Sequence, residues 1–269
     1  MADHSILVAG AGGRMGRAVV KEILATPGAS LAGGFERPDG AFIGADLGVL
    51  AGLDALGLRV EDSPADGLKR AGALIDFTTP AASLDHARAA AEAGVAHVIG
   101  ATGFSAEEEA ELKKAAKKIP IVKSGNMSLG VNLLAALVEE AAKKLSDDYD
   151  IEIVEAHHRA KVDAPSGTAL MLARAAAAGR GVDLSEKTAR ERESVAGPRR
   201  AGDIGFAVIR GGGIVGEHQV IFAGSQEVIT LSHNAIDRGL FAKGAVAAAR
   251  WAAGKPPGLY SMRDVLGLG

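Results

Sequence analysis

The chain contains no cysteine and few aromatic residues. Phe, Trp and Tyr together make up 4% of its 269 residues. Without cysteine there are no disulfides, thiolate-held metal centres or cysteine nucleophile, and the composition is typical of a reducing compartment, so we expect a cytoplasmic protein. The formal charge of −3 favours neither sign strongly. With few rings for base stacking and no positive excess, the sequence predicts no nucleic-acid partner.

Long hydrophobic runs are also missing. The apolar run from Ile6 to Gly13 ends at Arg14, and Arg174 and Arg250 interrupt the alanine-rich stretches. No segment fits a signal peptide or a membrane span, so we expect a soluble protein without a membrane partner. Hydrophobic residues still make up 48% of the chain, enough for a core, and 36 residues are glycine. That glycine content is about twice the average, and its location matters for function.

Short apolar runs alternate with helical patterns through the first half of the chain. Strands are predicted at 5–9, 29–35, 73–77, 96–100 and 119–123, and helices at 14–25, 81–93 and 105–118. This alternation is typical of a parallel sheet covered by helices. We therefore expect an α/β, Rossmann-type dinucleotide-binding domain whose strand carboxyl ends line a ligand crevice.

The second half has a different pattern. Helices are predicted at 129–144, 167–178 and 237–253, and strands at 149–156, 204–210, 214–223 and 227–233. Residues 186–194 fit either a helix or a mobile loop. Consecutive strands with short connections favour a mixed, open sheet, so we expect a second domain of the α+β class.

The glycine loop, Gly10–Gly16, lies between the first predicted strand and the first helix. Its glycines follow the spacing GxxGxxG, whereas the strict GxGxxG motif would need glycine at Met15. Glycines at such a turn let the backbone and the helix amides approach a pyrophosphate, although an ordinary glycine-rich turn would have the same letters. A P-loop is excluded because no GK[ST] follows.

Glu36 makes the dinucleotide interpretation stronger, because it lies at the end of the second predicted strand, where an acidic side chain can bond a ribose 2′-hydroxyl. The adjacent Arg37 can pair with a 2′-phosphate, so both NADH and NADPH remain open. Two later strand ends, 100–103 and 124–127, are predicted to face the same crevice, where small residues leave room for a nicotinamide. Residues 76–80 are expected to wall it.

The basic segment, residues 155–168 with the sequence EAHHRAKVDAPSGT, is the most informative stretch. Adjacent histidines on a strand point to opposite faces, and no suitable ligand set lies nearby, so no metal site is predicted. A solvated basic loop is the alternative. Against it, Ser166 fits a helix N-cap, and the amides of Gly167 and Thr168 would then form an anion receptor.

This combination suits a small dicarboxylate or phosphate ligand. His157 or Lys161 would donate the proton that hydride transfer to a C=N or C=C bond requires, and the spacing does not choose between them. Of the other histidines, His4, His86 and His97 are expected at the surface or in helix packing. His218 and His233 are expected to be structural.

At this point the sequence resembles the 4-hydroxy-tetrahydrodipicolinate reductase (dihydrodipicolinate reductase) family over nearly its whole length. The resemblance is carried by VAGAGGRMGR, IDFTTP, VIGATGF, IEIVEAHHRAKVDAPSGTAL, GFAVIRGGGIVGEH and MRDVLGL. The fourth of these motifs is highly specific, whereas the glycine loop alone is not.

The resemblance implies NAD(P)H-dependent reduction of 4-hydroxy-tetrahydrodipicolinate with loss of water, in lysine and diaminopimelate biosynthesis. It also implies a homotetramer with a dinucleotide-binding domain at 1–128, completed by 237–269, and a substrate-binding and tetramerisation domain at 129–236. Another Rossmann-type amino-acid or sugar dehydrogenase, or a non-catalytic dinucleotide sensor, is the alternative.

The family's functional residues can be placed by motif. Dinucleotide contacts are implied at Gly10, Ala11, Gly12, Gly13, Arg14, Met15, Glu36, Arg37, Gly100, Ala101, Thr102, Ser124, Gly125, Asn126 and Met127. Substrate-carboxylate contacts are implied at His158, Gly167 and Thr168, with His157 as proton donor or acceptor and Lys161 as proton donor. The sequence departs from the family's usual residues at Ala101, Gly125 and Met127, which leaves the preference between NADH and NADPH open.

Overall fold

The chain divides into two compact units in a computed structural model that describes residues 4–189 and 198–268. Unit 1 comprises Met1–Leu129 and Gly239–Gly269, and unit 2 comprises Gly130–Arg238. Residues 190–194 of the segment predicted as helix or loop lie outside the described residues.

The elements follow one another along the chain. In the first part of unit 1 they are β1 (His4–Ala9), α1 (Arg14–Ala25), β2 (Ala29–Phe35), α2 (Leu47–Leu50), β3 (Val60–Glu61), α3 (Ala65–Leu68), β4 (Ala73–Asp76), α4 (Pro80–Ala93), β5 (Ala96–Ile99), α5 (Ala106–Ala115) and β6 (Pro120–Lys123). Then come α6 (Leu129–Lys144), β7 (Asp150–His157), α7 (Gly167–Arg180), α8 (Leu184–Lys187), β8 (Thr188–Ala189), β9 (Ile204–Arg210), β10 (Glu217–Ala223) and β11 (Val228–Asn234). Unit 1 resumes with α9 (Gly239–Ala252), β12 (Gly258–Tyr260) and α10 (Met262–Val265).

Unit 1 is built on a parallel sheet of seven strands in the order β12-β6-β5-β4-β1-β2-β3. Helices cover both faces, which is why its strands are apolar throughout rather than alternating. On β1, Ile6 belongs to the core shared with α1 and α9, whereas Leu7 belongs to the core shared with α4 and α5. The strand carboxyl ends therefore meet at one edge of a sheet that is buried on both sides.

Unit 2 contains a mixed sheet in the order β11-β10-β7-β9-β8. β7 and β9 are parallel, whereas β10 is antiparallel to both β7 and β11. One face packs on α6 and α7, where Ile153 and Phe222 have no exposed surface. Alternate residues point to the other face, and Ile209 and Val228 are 51% and 61% exposed there. The expected fold class, a Rossmann-type unit plus an α+β unit with a mixed sheet, is confirmed.

The structure differs from the sequence prediction mainly in short elements. The strand expected at 214–223 begins at Glu217, and β3, β8 and β12 were not predicted. These three strands have two or three residues each, too few to show a hydrophobic period. Within residues 4–189 and 198–268, none of the helices has the length and hydrophobicity needed to cross a bilayer.

Candidate functional site

The glycine loop connects β1 to α1 in a form that suits a phosphate group. Gly10 has a φ of +63°, in the left-handed region that favours glycine, and its carbonyl accepts a hydrogen bond from the Gly13 amide at 2.9 Å. A Cβ at Gly16 would overlap the Gly10 carbonyl oxygen, so α1 can pack this closely only with glycine there. Gly13, the N-cap of α1, provides no side-chain cap, which leaves the first helical turn suited to an anion.

Glu36 follows β2 and lies against this loop. Its Oε1 accepts a hydrogen bond from the Gly12 amide at 2.9 Å, and Arg37 beside it is exposed. Two further residues, Phe42 and Arg17, belong to this part of the candidate site. The Phe42 ring lies against Gly12, and the Arg17 guanidinium lies 4.6 Å from the centroid of that ring. Loop, carboxylate and arginines thus fit the pyrophosphate and adenosine ribose of a dinucleotide.

The later strand ends meet the glycine loop at the same edge of the sheet. Thr78 Cγ2 lies 3.0 Å from the position that a Cβ on Gly10 would occupy. A Cβ on Gly100 would overlap the Phe77 ring, and the Ser124 amide donates to the Ile99 carbonyl at 3.2 Å. The structure therefore brings the turns after β1, β4, β5 and β6 together.

Several residues implied as cofactor contacts do not present their side chains there. Ala11, Ala101 and Met127 are at most 5% exposed, and their side chains belong to the two cores of unit 1. Only their backbone atoms remain for a ligand. Asn126 uses its side-chain oxygen to accept a hydrogen bond from the Ser128 amide at 2.8 Å, which shapes the turn after β6.

A buried carboxylate holds the turn after β4. Asp76 Oδ1 accepts from the Thr78 amide at 2.8 Å, and Oδ2 lies 2.8 Å from His86 Nδ1 and 3.4 Å from His97 Nε2. Burial disfavours the charge, but His86 and His97 outweigh it and hold the pKa of Asp76 well below its usual range. His97 has no exposed surface and lies on β5, so of the two positions expected for it the surface position is wrong.

In unit 2, β7 ends at His157, and Glu155 precedes it on the same face of the strand. Glu155 has no exposed surface. Its Oε2 lies 2.6 Å from His157 Nδ1 and accepts from Arg210 Nη1 at 2.8 Å. Its Oε1 accepts from Arg210 Nη2 at 2.8 Å and from the Ser166 amide at 3.0 Å.

Helix α7 begins beside this cluster. Ser166, its N-cap, accepts a hydrogen bond from the Ala169 amide at 3.1 Å, as the sequence predicts. A Cβ on Gly167 would meet nothing within 4 Å, so the backbone at the helix start faces open space. Lys161 Nζ forms an ion pair with both oxygens of Asp163, at 2.7 and 2.9 Å.

Two residues of this region were not predicted to belong to a site. The Arg238 guanidinium lies 3.3 Å from His158 Nε2. The His218 ring packs edge-on against His157 at 5.1 Å, and its Nε2 lies 3.0 Å from Ser166 Oγ. His218 is 3% exposed on a strand, as expected of a structural histidine, but its Nδ1 has no hydrogen-bond partner among the described residues.

Burial, together with the charges around it, lowers the pKa of His218. Burial, together with His157, His233 and Lys161, lowers its pKa to about 4, although Glu155 acts in the opposite direction. The ring that packs against His157 is therefore that of a neutral His218.

The position of Glu155 beside His157 could have been inferred from the sequence, since residues two apart along a strand share a face. No such signal existed for Arg210 and His218, which reach the cluster through the pairing of β9 and β10 with β7.

A parallel sheet with a glycine loop suited to a phosphate group is typical of a nicotinamide-dependent oxidoreductase, and so is a second unit with titratable side chains beside a helix N-terminus. Comparison with known proteins is consistent with that class. Residues 4–127 match the family described as "Dihydrodipicolinate reductase, N-terminus", and residues 130–266 match "Dihydrodipicolinate reductase, C-terminus". The chain belongs to the dihydrodipicolinate reductase family, and the resemblance seen in its motifs is confirmed.

Individual relatives agree with this assignment. A 4-hydroxy-tetrahydrodipicolinate reductase of Rhodopseudomonas palustris (strain BisA53) is 56% identical over 275 residues, covering 100% of this chain and 98% of that protein. One from Parvibaculum lavamentivorans is 57% identical, with 99% of each chain covered. The fold is similar to that of a dipicolinate-bound dihydrodipicolinate reductase from Paenisporosarcina sp. TG-14, with a TM-score of 0.80, 24% identity and coverage of 98% and 99%.

Proposed function

We infer that this protein reduces 4-hydroxy-tetrahydrodipicolinate to tetrahydrodipicolinate, with loss of water, using NADH or NADPH. The reaction belongs to diaminopimelate and lysine biosynthesis. The family and the names of its relatives support the reaction. The observation in this structure that carries the proposal is the position of His157 beside the N-cap of α7, which pairs a proton-exchanging group with an anion receptor.

We assign the dinucleotide to unit 1 and the substrate to unit 2. The carboxyl edge of the unit 1 sheet, with the glycine loop, Glu36 and Arg37, is the proposed cofactor site. In unit 2, the amides of Gly167 and Thr168 would bind one substrate carboxylate, as helix N-termini do. His158 would contact the substrate from the end of β7. Dipicolinate, the ligand of the Paenisporosarcina reductase, is a dicarboxylate of the required kind.

The chemistry requires a hydride and a proton. Bound NADH or NADPH supplies the hydride. Nδ1 of His157 is engaged by Glu155, so exchange of a proton with the substrate falls to Nε2. Lys161 is the proposed proton donor, and Asp163 holds its ammonium group in place. We propose that the hydride adds to one atom of the C=C or C=N bond and that Lys161 protonates the other atom. His157 would accept the proton that the substrate loses when its hydroxyl group leaves as water, or donate the proton that the leaving hydroxyl group takes up.

The direct test is turnover. Freshly generated 4-hydroxy-tetrahydrodipicolinate is added to the purified protein with NADH or NADPH, and oxidation of the nicotinamide is followed by absorbance. We expect turnover with at least one cofactor and formation of tetrahydrodipicolinate. Dinucleotide binding without turnover with either cofactor would refute the proposal and favour a dinucleotide sensor.

We also propose that the protein forms a homotetramer through unit 2. We propose further that it is located in the cytoplasm, where NADH and NADPH are available. The exposed sheet face with Ile209 and Val228 supports the assembly, because exposed apolar patches on a sheet mark interaction surfaces. Ile209→Glu should lower the mass measured by light scattering, whereas unchanged mass would exclude this face. Cell fractionation tests the location.

A further inference from the structure

One buried carboxylate in unit 2 connects the two groups that the proposed reaction needs. Glu155 accepts four hydrogen bonds: two from Arg210, one from His157 Nδ1 and one from the Ser166 amide, at distances of 2.6 to 3.0 Å. A carboxylate offers about four acceptor positions, so this group is fully used. We propose that Glu155, held by Arg210, is a positioning residue that orients both His157 and the start of α7, an inference that rests on the proposed function.

The first effect concerns the tautomer of His157. An ionised carboxylate can only accept hydrogen bonds, so the nitrogen of His157 that faces Glu155 carries the proton. Burial opposes the ionisation of Glu155, but Arg210, His157 and the Ser166 amide outweigh it and hold the pKa of Glu155 below its usual value. In neutral His157, Nε2 is therefore the nitrogen that presents a lone pair to the substrate.

The second effect concerns the anion receptor. Ser166 donates its amide hydrogen to Glu155, while its hydroxyl group caps the Ala169 amide. The first turn of α7 thus begins at a fixed distance from the carboxylate that also holds His157. Geometry of this kind matters because a displacement of about 1 Å at a reacting group can reduce the rate by about 100-fold.

Arg210 makes the arrangement possible. Its planar guanidinium binds both oxygens of Glu155, which fixes the plane of the carboxylate, and it also donates to the Asp163 carbonyl at 2.7 Å. That last contact reaches the stretch of chain between Lys161 and α7. A lysine at position 210 would keep the charge but could not hold both oxygens in one plane.

The strand offers a matched control. Glu152 lies on β7 on the opposite face and accepts a hydrogen bond from Arg199 at 2.9 Å. It resembles Glu155 in chemistry and in partner, but it does not contact His157 or Ser166 through any hydrogen bond described here. Glu152→Gln therefore measures the cost of disturbing a carboxylate–arginine pair on β7 without touching the site.

The main experiment compares Glu155→Gln, Arg210→Lys and Glu152→Gln by steady-state kinetics. Because an amide cannot accept all four bonds, we expect Glu155→Gln to lower kcat by about 100-fold and to raise the KM for the dicarboxylate, with the KM for NADH unchanged. Arg210→Lys should lower kcat by about 10-fold. Glu152→Gln should stay within about 3-fold of the wild type. Equal losses in Glu155→Gln and Glu152→Gln would overturn the proposal, as would wild-type kinetics in both site variants.

A measurement on the unaltered protein keeps the test decisive if a variant does not fold. In ¹⁵N-histidine NMR above neutral pH, with the His157 signals assigned by their loss in His157→Asn, we expect the proton on Nδ1. A proton on Nε2 would overturn the inference.

Titration with dipicolinate should show about 10-fold weaker binding in Arg210→Lys than in Glu152→Gln. Neither readout depends on turnover, so failure of the proposed reaction is distinguishable from failure of the positioning role.

Discussion

Acidification should destabilise unit 2 through His218. This residue is 3% exposed on β10 and packs against His157. Its surroundings lower its pKa from 6.5 to about 4, with burial as the largest cause, followed by the charges of His157, His233 and Lys161 against the opposing charge of Glu155. The folded protein therefore resists protonation of His218 over a pH range in which the unfolded chain accepts the proton.

The sign and size of this destabilisation follow from the linkage between proton binding and folding. Below about pH 6.5 the unfolded chain binds a proton at this position and the folded chain does not, so the free energy of unfolding falls as the pH falls. The loss ends near pH 4, where the folded form also takes up the proton. Because one pKa unit corresponds to about 1.4 kcal/mol, the loss attributable to His218 is about 3 kcal/mol.

The assay compares the wild type with His218→Gln. Urea unfolding of both proteins is measured at fixed protein concentration from about pH 7 to about pH 4.5. The advantage of the wild type over the variant should shrink by about 2 to 3 kcal/mol across this range, because glutamine does not titrate. His4→Gln, in unit 1, should follow the wild type. A constant difference between the two proteins, or an NMR titration of His218 at or above pH 6.5, would refute the reasoning.

Three further predictions concern the proposed sites. Gly16→Ala should weaken NADH binding by at least about 10-fold and destabilise unit 1 by about 1–3 kcal/mol, because the added methyl group overlaps the Gly10 carbonyl; calorimetry and thermal unfolding measure both effects. Lys161→Ala should lower kcat by about 100-fold or more while the dissociation constant for NADH stays within about 2-fold, as kinetics and fluorescence titration can show. Glu36→Ala should raise the KM for NADH by about 10-fold and that for NADPH less, and Arg37→Met should raise the KM for NADPH more, as initial rates can show.

The controls come from the same chain. Gly213→Ala adds a methyl group in open space and should leave NADH binding unchanged. Lys144→Ala removes an exposed lysine paired with Glu140 and should keep full activity. Wild-type NADH affinity in Gly16→Ala, or equal losses in Lys161→Ala and Lys144→Ala, would contradict the site assignments. A common response of both cofactors to the Glu36 and Arg37 variants would contradict the role of that pair.

The sequence predicts the larger elements of this fold because their periodicity is strong. Strands buried on both faces, such as β4 and β5, appear as short apolar runs, and α6 shows a long helical pattern. Short elements such as β12 depend on neighbours that are distant in the chain, since β12 exists by pairing with β6. Local residue patterns contain no information about such a partner.

The candidate site likewise contains residues that a local sequence pattern identifies and residues that it does not. His157, Lys161 and Ser166 lie within one segment, and a helix N-cap after a strand can be recognised locally. Arg210 is 55 positions from Glu155, and only the parallel register of β7 and β9 brings them together. Met127 is a different case, because a motif match cannot tell a buried side chain from an exposed one. The structure places this side chain in the core, which leaves the implied cofactor contact to its backbone.

The helix α9 has a consequence for the order in which the protein can fold. Ala245, Val246 and Ala249 on this helix belong to the same core as Ile75 and Val98, yet the whole of unit 2 precedes them in the chain. During synthesis the ribosome therefore completes the sequence of unit 2 while one face of the unit 1 sheet still lacks α9, one of the two helices that cover it. Truncation before Gly239 therefore leaves unit 1 incomplete. The residues removed are at the carboxyl end of the chain, whereas unit 1 begins at the amino end.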